Sequence, residues 1–116
     1  MVSLRPADVV IDCAEHAPVV AFWSAALGWK ARRVNEQYVS LVPPEAGGVS
    51  ILFQKVPEPK TVKNRVHIDF RCEDMAAEVA RLVGLGATVI AERCLGRFCW
   101  TVLADPVGNE FCVNAG

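Results

Sequence analysis

The sequence RVHIDFRCEDMAAEVARLVGLG, residues 65–86, joins a strand signal to a helix signal. Apolar and polar residues alternate over residues 65–72, which is typical of a β-strand. Asp74 then occupies the position of a helix N-cap, and Gly86 the position where a helix ends. The apolar residues between them recur at helical spacing and are Met75, Val79, Leu82 and Val83. The segment predicts a strand that leads directly into a helix.

The first half of the chain contains the same order of signals. Residues 9–13 can form a strand, and residues 15–27 follow a helical pattern that ends at Gly28. The apolar face of this helix consists of Val19, Phe22, Trp23 and Ala26. The letters also correspond, since DCAE at 12–15 parallels RCED at 71–74. Together these parallels indicate an internal duplication of a unit of roughly 55 residues.

Each predicted helix is followed by three short strand candidates. They are residues 29–34, 37–42 and 49–56 in the first half, and 87–93, 98–103 and 110–114 in the second. Two prolines and two lysines at 57–64 are typical of an exposed linker. A chain of 116 residues fits one core. We therefore predict an α+β fold, a single domain 1–116 built from two βαβββ modules at about 6–57 and 65–115.

Alternation along the strands sorts their side chains onto two faces. In the strand at 65–72, the polar side carries His67, Asp69 and Arg71. Over all strands, the polar face comprises Asp8, Asp12, Gln54, His67, Asp69, Arg71 and Cys112. We expect the apolar sides to pack against helices on the outer face, so that curved mixed sheets surround a cleft lined by the polar face. The alternative is that this face simply meets water, as in many antiparallel sheets.

Composition and charge exclude several classes of partner. With 12 Lys and Arg against 13 Asp and Glu the formal charge is -1, without the clustered positive excess that nucleic-acid binding requires. No run approaches the ~18 apolar residues of a membrane span, and Asp8 and Asp12 interrupt the apolar start of any signal peptide. We expect a cytoplasmic protein without nucleic-acid or membrane partners. A hydrophobic content of 53% and a mean hydropathy of +0.29 favour a homodimer.

The five cysteines have no C-x-x-C pair and no zinc-ribbon spacing. Their odd number favours a reducing compartment, in which most of them are small buried apolar residues. The sequence also contains no Gly-rich phosphate loop, no His-Glu-x-x-His helix and no nucleophile elbow. The common nucleotide, protease and hydrolase sites are thereby excluded.

Three motifs follow one another along the chain: AFW at 21–23 with LGW at 27–29, KNRVHID at 63–69, and DPVGNEF at 105–111. With these motifs the chain resembles the glyoxalase, bleomycin-resistance and dioxygenase superfamily, the vicinal oxygen chelate proteins, in its glyoxalase-like domain branch. The similarity spans nearly the whole chain. It implies paired βαβββ modules around a cleft, and in metal-dependent members it implies ligands on the first and last strands of each module.

Carried over by position, the resemblance places the four ligand positions at Asp8, Gln54, His67 and Cys112. Glyoxalases of the superfamily use His and Glu, and its dioxygenases use two His and one carboxylate, so this set is a poor match. We therefore expect no cofactor. Whether the chain binds a divalent metal ion stays open, because a thiolate, an imidazole and carboxylate oxygens are ligands that zinc accepts. His16, at the predicted helix start, is interpreted as a surface residue.

His67 is the candidate catalytic residue, because its unperturbed pKa of about 6.5 lets it exchange a proton at neutral pH. The alternative is a histidine that only shapes the cavity. Asp69 shares its face and can orient the imidazole or pair with Arg71. Asp12 can orient a ligand or cap the first helix, and Cys112 can act as a nucleophile if a cation lowers its pKa. Trp100 is the candidate for stacking on a ligand.

Two classes of function follow from these residues. The first is a small-molecule-binding protein of the resistance type, with no complete glyoxalase metal site. Its predicted ligand-binding residues are Asp8, Asp12, Gln54, Asp69, Trp100 and Cys112. The second is a lyase, isomerase or dioxygenase that acts through His67 with or without a divalent ion. The incomplete ligand set favours binding, and the sequence leaves open whether a reaction follows.

Overall fold

The structure is a computed structural model that describes residues 2–116. It divides into two compact units, a first module ending at Pro59 and a second module, Lys60–Gly116. The division falls within the predicted linker at 57–64. Each module has one helix and four strands in the order β-α-β-β-β, and each sheet is mixed. The predicted α+β class and the duplicated modules are confirmed.

The first module contains β1 (Asp8–Cys13), α1 (His16–Leu27), β2 (Lys30–Arg33), β3 (Tyr38–Val42) and β4 (Ser50–Lys55). Its strands are ordered β1-β4-β3-β2, with β1 parallel to β4 and the other neighbours antiparallel. Parallel strands cannot be joined by a tight turn, and α1, β2 and β3 together provide the required crossover.

Alternation along these strands produces one buried face. Leu41, Ile51 and Phe53 are buried on the side where α1 contacts β3 and β4. Val19 and Phe22 of α1 are buried as well. Burying each such side chain stabilises the fold by roughly 1.5–3 kcal/mol. The face assignment made from the sequence is therefore confirmed for this sheet.

The start of α1 corrects two expectations. Its N-cap residue is Glu15, and Asp12 lies inside β1, so Asp12 does not cap the helix. His16 is buried rather than on the surface. Its Nε2 donates a hydrogen bond of 2.9 Å to the carbonyl oxygen of Gln37, which satisfies the buried imidazole.

The second module contains β5 (Asp69–Arg71), α2 (Met75–Leu85), β6 (Thr88–Leu95), β7 (Phe98–Ala104) and β8 (Glu110–Asn114). Its sheet has the corresponding order β5-β8-β7-β6 and again a parallel first pair. Asp74 caps α2 as predicted, since its side chain accepts a hydrogen bond from the backbone N–H of Ala77. Within residues 2–116, no helix is both long and apolar enough to span a bilayer.

β5 is shorter than the strand predicted at 65–72, because it begins only at Asp69. Before it, Asn64 and Glu110 exchange hydrogen bonds between the backbone N–H of each and the side chain of the other, at 3.0 and 3.2 Å. These side-chain bonds take the place of strand pairing at the start of β8. His67 therefore lies just ahead of β5 instead of within it.

The DPVGN motif forms the turn into β8. The buried Asp105 accepts hydrogen bonds through Oδ1 from the N–H groups of Val107 and Asn109, each at 3.0 Å. Gly108 has φ of 92°, a conformation that favours glycine. The turn fixes where β8 begins and hence which of its residues face the open side of the sheet.

Two of the five cysteines do not behave as small buried residues. Cys94 and Cys99 stand directly opposite each other on β6 and β7 and form a disulfide, and Cys94 is exposed. Cys13 and Cys112 are buried thiols outside any disulfide, and Cys72 is a half-buried one. The expectation of reduced cysteines is wrong for this pair, because antiparallel pairing brings the two side chains together.

Candidate functional site

The second sheet carries a pocket of about 520 Å³ on its open face, opposite the face that buries Phe111 and Val113. All four of its strands contribute side chains. Small-molecule sites usually have volumes of roughly 300–1,000 Å³. The pocket is therefore large enough for a ligand of one to three rings.

Strand register arranges the open-face side chains in two rows across the sheet. The first row is Asp69, Cys112, Val102 and Ala91, and the second is Arg71, Asn114, Trp100 and Arg93. A register irregularity in β6 between Val89 and Ala91 lets both Ile90 and Ala91 line the pocket. The first row supplies an apolar floor next to polar groups, and the second supplies an aromatic ring next to a cation.

His67, Asp69 and Cys112 converge at one end of the pocket. His67 Nδ1 lies 2.9 Å from Asp69 Oδ1, and Cys112 Sγ lies 3.8 Å from His67 Nδ1. The imidazole and the carboxylate are partly exposed, whereas Cys112 is buried. Because the carboxylate of Asp69 accepts the Nδ1 proton, it orients the ring and leaves Nε2 for a ligand.

The electrostatics of this end disfavour a thiolate. Burial, and next the negative charge of Asp69, raise the pKa of the Cys112 thiol above its ordinary value. The positive charge of Lys63 opposes this shift but is a smaller influence. Cys112 is therefore a neutral thiol at neutral pH. The hypothesis of a Cys112 nucleophile loses its basis, because thiolate is the attacking species.

Charged and aromatic side chains surround the rest of the pocket. Lys63 Nζ lies 3.9 Å from Glu110 Oε1, and Glu110 is largely shielded from solvent. The rings of Phe98 and Trp100 are stacked, with centroids 5.5 Å apart and an interplanar angle of 29°. Arg93 lines the pocket from β6, directly opposite Trp100. One side of the site is thus aromatic and cationic.

Sequence reasoning missed Arg93 and Phe98, although a signal was present. Gly96 and Arg97 form a two-residue turn between β6 and β7, and Gly96 has φ of 62°. A two-residue Gly-X turn fixes hairpin register. That register pairs Arg93 with Trp100 and, one step nearer the turn, Cys94 with Cys99. The turn alone would have predicted both pairs.

The structure brings His67, Asp69, Trp100 and Cys112 into one pocket and places the other predicted site residues on the first sheet. There, Asp12 pairs with Gln54, whereas Asp8 pairs with Ser50. Asp8 and Gln54 are therefore about 13 Å apart along the strands. This separation is too large for both side chains to bind one ion, so the four positions that the resemblance implies for a metal ion do not form one ligand set.

The duplicated registers identify equivalent positions in the two modules. Cys13 Sγ donates to the carbonyl oxygen of Gln54 at 3.6 Å, just as Cys72 Sγ donates to that of Asn114 at 3.5 Å. On this alignment the equivalent pairs are Asp8 and His67, Val10 and Asp69, Leu52 and Cys112, and Gln54 and Asn114. The first-module counterpart of Cys112 is therefore Leu52 and not Gln54.

Comparison with known proteins agrees with this architecture. The sequence profile described as glyoxalase-like domain matches residues 8–114. A search of curated proteins found no significant match.

Solved structures of similar fold include an enzyme of the glyoxalase/bleomycin resistance protein/dioxygenase family and a fosfomycin resistance protein. UcmS2 is 20% identical, with 99% of this chain and 100% of that chain covered and a TM-score of 0.75. A glyoxalase/bleomycin resistance protein/dioxygenase family enzyme from Burkholderia phytofirmans PsJN is 21% identical, with 94% and 96% covered and a TM-score of 0.72. The fosfomycin resistance protein FosX from Listeria monocytogenes, in complex with Mn(II) and 1S,2S-dihydroxypropylphosphonic acid, is 16% identical, with 100% and 92% covered and a TM-score of 0.79. At these identities the similarity establishes the fold.

Proposed function

Because the chain belongs to the glyoxalase-like domain family, we propose that it binds a small, partly aromatic molecule in the pocket of its second module. The pocket itself is the observation that carries this proposal. Its volume is about 520 Å³, with an apolar floor of Ile90, Ala91 and Val102 and polar groups at one end. An apolar lining with a few convergent polar groups is typical of small-molecule sites.

The pocket residues have distinct roles in this proposal. A neutral His67 with its proton on Nδ1 presents Nε2 as a hydrogen-bond acceptor, and it gains a donor there when protonated. Trp100 offers a flat face for stacking. The neutral thiol of Cys112 separates the polar end from the apolar floor. Asp69 acts through His67 and holds its ring in place.

We propose that binding needs no metal ion. The equivalents of Asp69 and Cys112 in the first module are Val10 and Leu52, which cannot ligate an ion. Asp12 and Gln54 are adjacent across β1 and β4 and are not among the residues that line this pocket. Asp8 lies apart from that pair.

Isothermal titration of the purified chain with 2-naphthamide, a neutral planar probe, tests this proposal. We expect binding that EDTA leaves unchanged. Val102→Phe, which fills the pocket floor, is expected to abolish it. Val42→Phe, an exposed position on the first sheet, is the matched control. Loss of binding in EDTA, or equal binding by both variants, would contradict a metal-independent pocket in the second module.

A metal-dependent lyase, isomerase or dioxygenase is the second candidate. One observation favours it: one ligand atom each from His67, Asp69 and Cys112 lie within 4.8 Å of one another. An imidazole, a carboxylate and a thiolate are a zinc-like donor set, and three protein ligands leave a position for a substrate. When bound, such an ion would supply Lewis-acid chemistry. In that case His67 and Asp69 would hold the ion instead of a proton.

Metal analysis of the purified chain separates the two candidates. For the enzyme, we expect one zinc ion per chain after dialysis, and loss of that ion in Cys112→Ser and His67→Ala. Cys72→Ser serves as the control for removal of a free thiol. Substoichiometric zinc that Cys112→Ser does not change would contradict the metal-dependent candidate.

We further propose a homodimer, as the apolar composition predicts. Several large apolar side chains are exposed in the chain alone, among them Val66 at 79% and Leu95 at 77%. Sedimentation equilibrium at micromolar concentration tests this assembly. A stable monomer would contradict it.

A further inference from the structure

We propose that the ligand of this pocket is a planar aromatic carboxylate, with its carboxylate on Arg93 and its rings on Trp100. This inference rests on the proposed function, since it names the chemical class of molecule that the second-module pocket takes. It assigns a ligand-binding role to Arg93, a residue outside the cluster of His67, Asp69 and Cys112.

The charge balance of the pocket points to an anion. Lys63 faces Glu110 at 3.9 Å, and His67 faces Asp69 at 2.9 Å. Within residues 2–116, Arg93 has neither a hydrogen bond nor an ion pair from its guanidinium group. Among the charged side chains lining the pocket, Arg93 thus has a positive charge that the described part of the chain leaves uncompensated.

The chemistry of the guanidinium group selects the type of anion. Its planar fork of N–H donors matches the two oxygens of a carboxylate, and the paired hydrogen bonds are strengthened by charge. A carboxylate attached directly to an aromatic ring is coplanar with that ring. Such a group reaches Arg93 while the ring stays flat against a neighbouring aromatic face.

Trp100 provides that face next to Arg93. The two residues are directly opposite each other on β7 and β6, so their side chains leave the same side of the sheet about 5 Å apart at Cβ. Phe98 stacks on Trp100 and extends the aromatic surface along β7. A ring lying on Trp100 therefore places a ring substituent beside Arg93.

The register also sets the length of the ligand. From Arg93 to Cys112 the site crosses two strand spacings and moves one pleat period along the strands, a span of about 12 Å between Cα atoms. Val102 provides an apolar floor along this line. A ligand of two fused rings can extend along this line from Arg93 towards Cys112.

The test compares two matched probes by isothermal titration of the full chain. They are 2-naphthoate and its neutral amide, 2-naphthamide. We expect the carboxylate to bind about tenfold more tightly, because only it forms a charge-assisted pair with Arg93. Arg93→Gln should remove this advantage of the carboxylate over the amide, and Arg93→Lys should restore part of it.

Arg97→Gln is the matched control, because it removes the same charge from the turn of the same hairpin, outside the pocket lining. It should keep the tenfold advantage of the carboxylate. Equal affinity for both probes, or an advantage that survives Arg93→Gln, would overturn the inference and leave the proposed function standing. Failure of both probes to bind would overturn the proposed function and this inference together.

Discussion

The two modules share their strand order and register but differ in the chemistry of their open faces. Where the second module has His67, Asp69 and Cys112, the first has Asp8, Val10 and Leu52. The buried faces are alike: Leu41 and Leu103 occupy equivalent positions and both are fully buried. The comparison teaches that the buried face maintains the fold, while the open face is free to carry different functional groups.

The difference assigns the chemistry to one half of the molecule. Val10 and Leu52 cannot orient an imidazole or ligate an ion, whereas their equivalents Asp69 and Cys112 contact His67 or lie beside it. Matched substitutions at equivalent positions therefore test this difference between the modules, because each variant has its control in the other module.

The largest effect is expected at the shared core. Leu41→Ala and Leu103→Ala should each reduce the free energy of unfolding by about 2–5 kcal/mol, because each removes a fully buried side chain and leaves a cavity. Urea denaturation of both variants measures this. A loss below ~1 kcal/mol in only one of them would show that the two cores are not equivalent.

The next largest effect separates the open faces. Trp100→Ala should weaken the binding of 2-naphthamide about tenfold, since it removes the stacking surface of the pocket. Tyr38→Ala, at the equivalent position on β3, should leave this affinity unchanged in the same titration. Equal losses from the two variants would contradict a site confined to the second module.

Replacement of His67 should have a smaller effect. His67→Ala removes one hydrogen bond to the ligand, so we expect affinity for 6-hydroxy-2-naphthamide, which can reach the polar end, to fall about fivefold. Asp8→Ala is the equivalent change in the first module. If only Asp8→Ala weakens the probe, the roles of the two faces must be exchanged.

The smallest effect concerns the thiol of Cys112. Because the negative charge of Asp69 raises the pKa of Cys112, Asp69→Asn should lower that pKa and increase the thiolate fraction at a given pH. Iodoacetamide should then alkylate Cys112 at pH 8 a few times faster in Asp69→Asn than in the unchanged protein. Mass spectrometry of samples taken over time measures this rate. Glu73→Gln, which removes a carboxylate four residues further along the chain and is not among the causes of the shift, should have no effect. Unchanged alkylation in Asp69→Asn would show that Asp69 does not control this thiol.

Local patterns predicted most of the fold because they depend on neighbours in sequence. The Asp74 cap and the Gly86 end of α2 were both visible in residues 65–86 and are present in the structure. The face assignment of His67 and Asp69 followed from alternation alone. The strand predicted at 65–72 begins later in the structure, at Asp69. Its first residues do not pair as a strand, because hydrogen bonds between Asn64 and Glu110, 46 residues apart in sequence, take that place.

The candidate site was only half predictable for the same reason. His67, Asp69, Cys112 and Trp100 were identified by type and face, and they do line one pocket. Arg93 was missed because its place in the site depends on its position opposite Trp100. That position follows from the pairing of β6 with β7 and not from the sequence of either strand alone. The four positions that the resemblance implies for a metal ion do not come together, because the pairing of β1 with β4 holds Asp8 and Gln54 far apart.

The duplication, the order of the elements and the face of each polar residue can be read from the amino-acid sequence, because they follow from local propensity and periodicity. Which residues of different strands lie side by side depends on the tertiary fold. A shift of one residue in strand pairing exchanges the two faces of a strand, and no local pattern records it. The register of β1 with β4 and of β5 with β8 makes Leu52 the equivalent of Cys112. The register of β6 with β7 places Arg93 opposite Trp100.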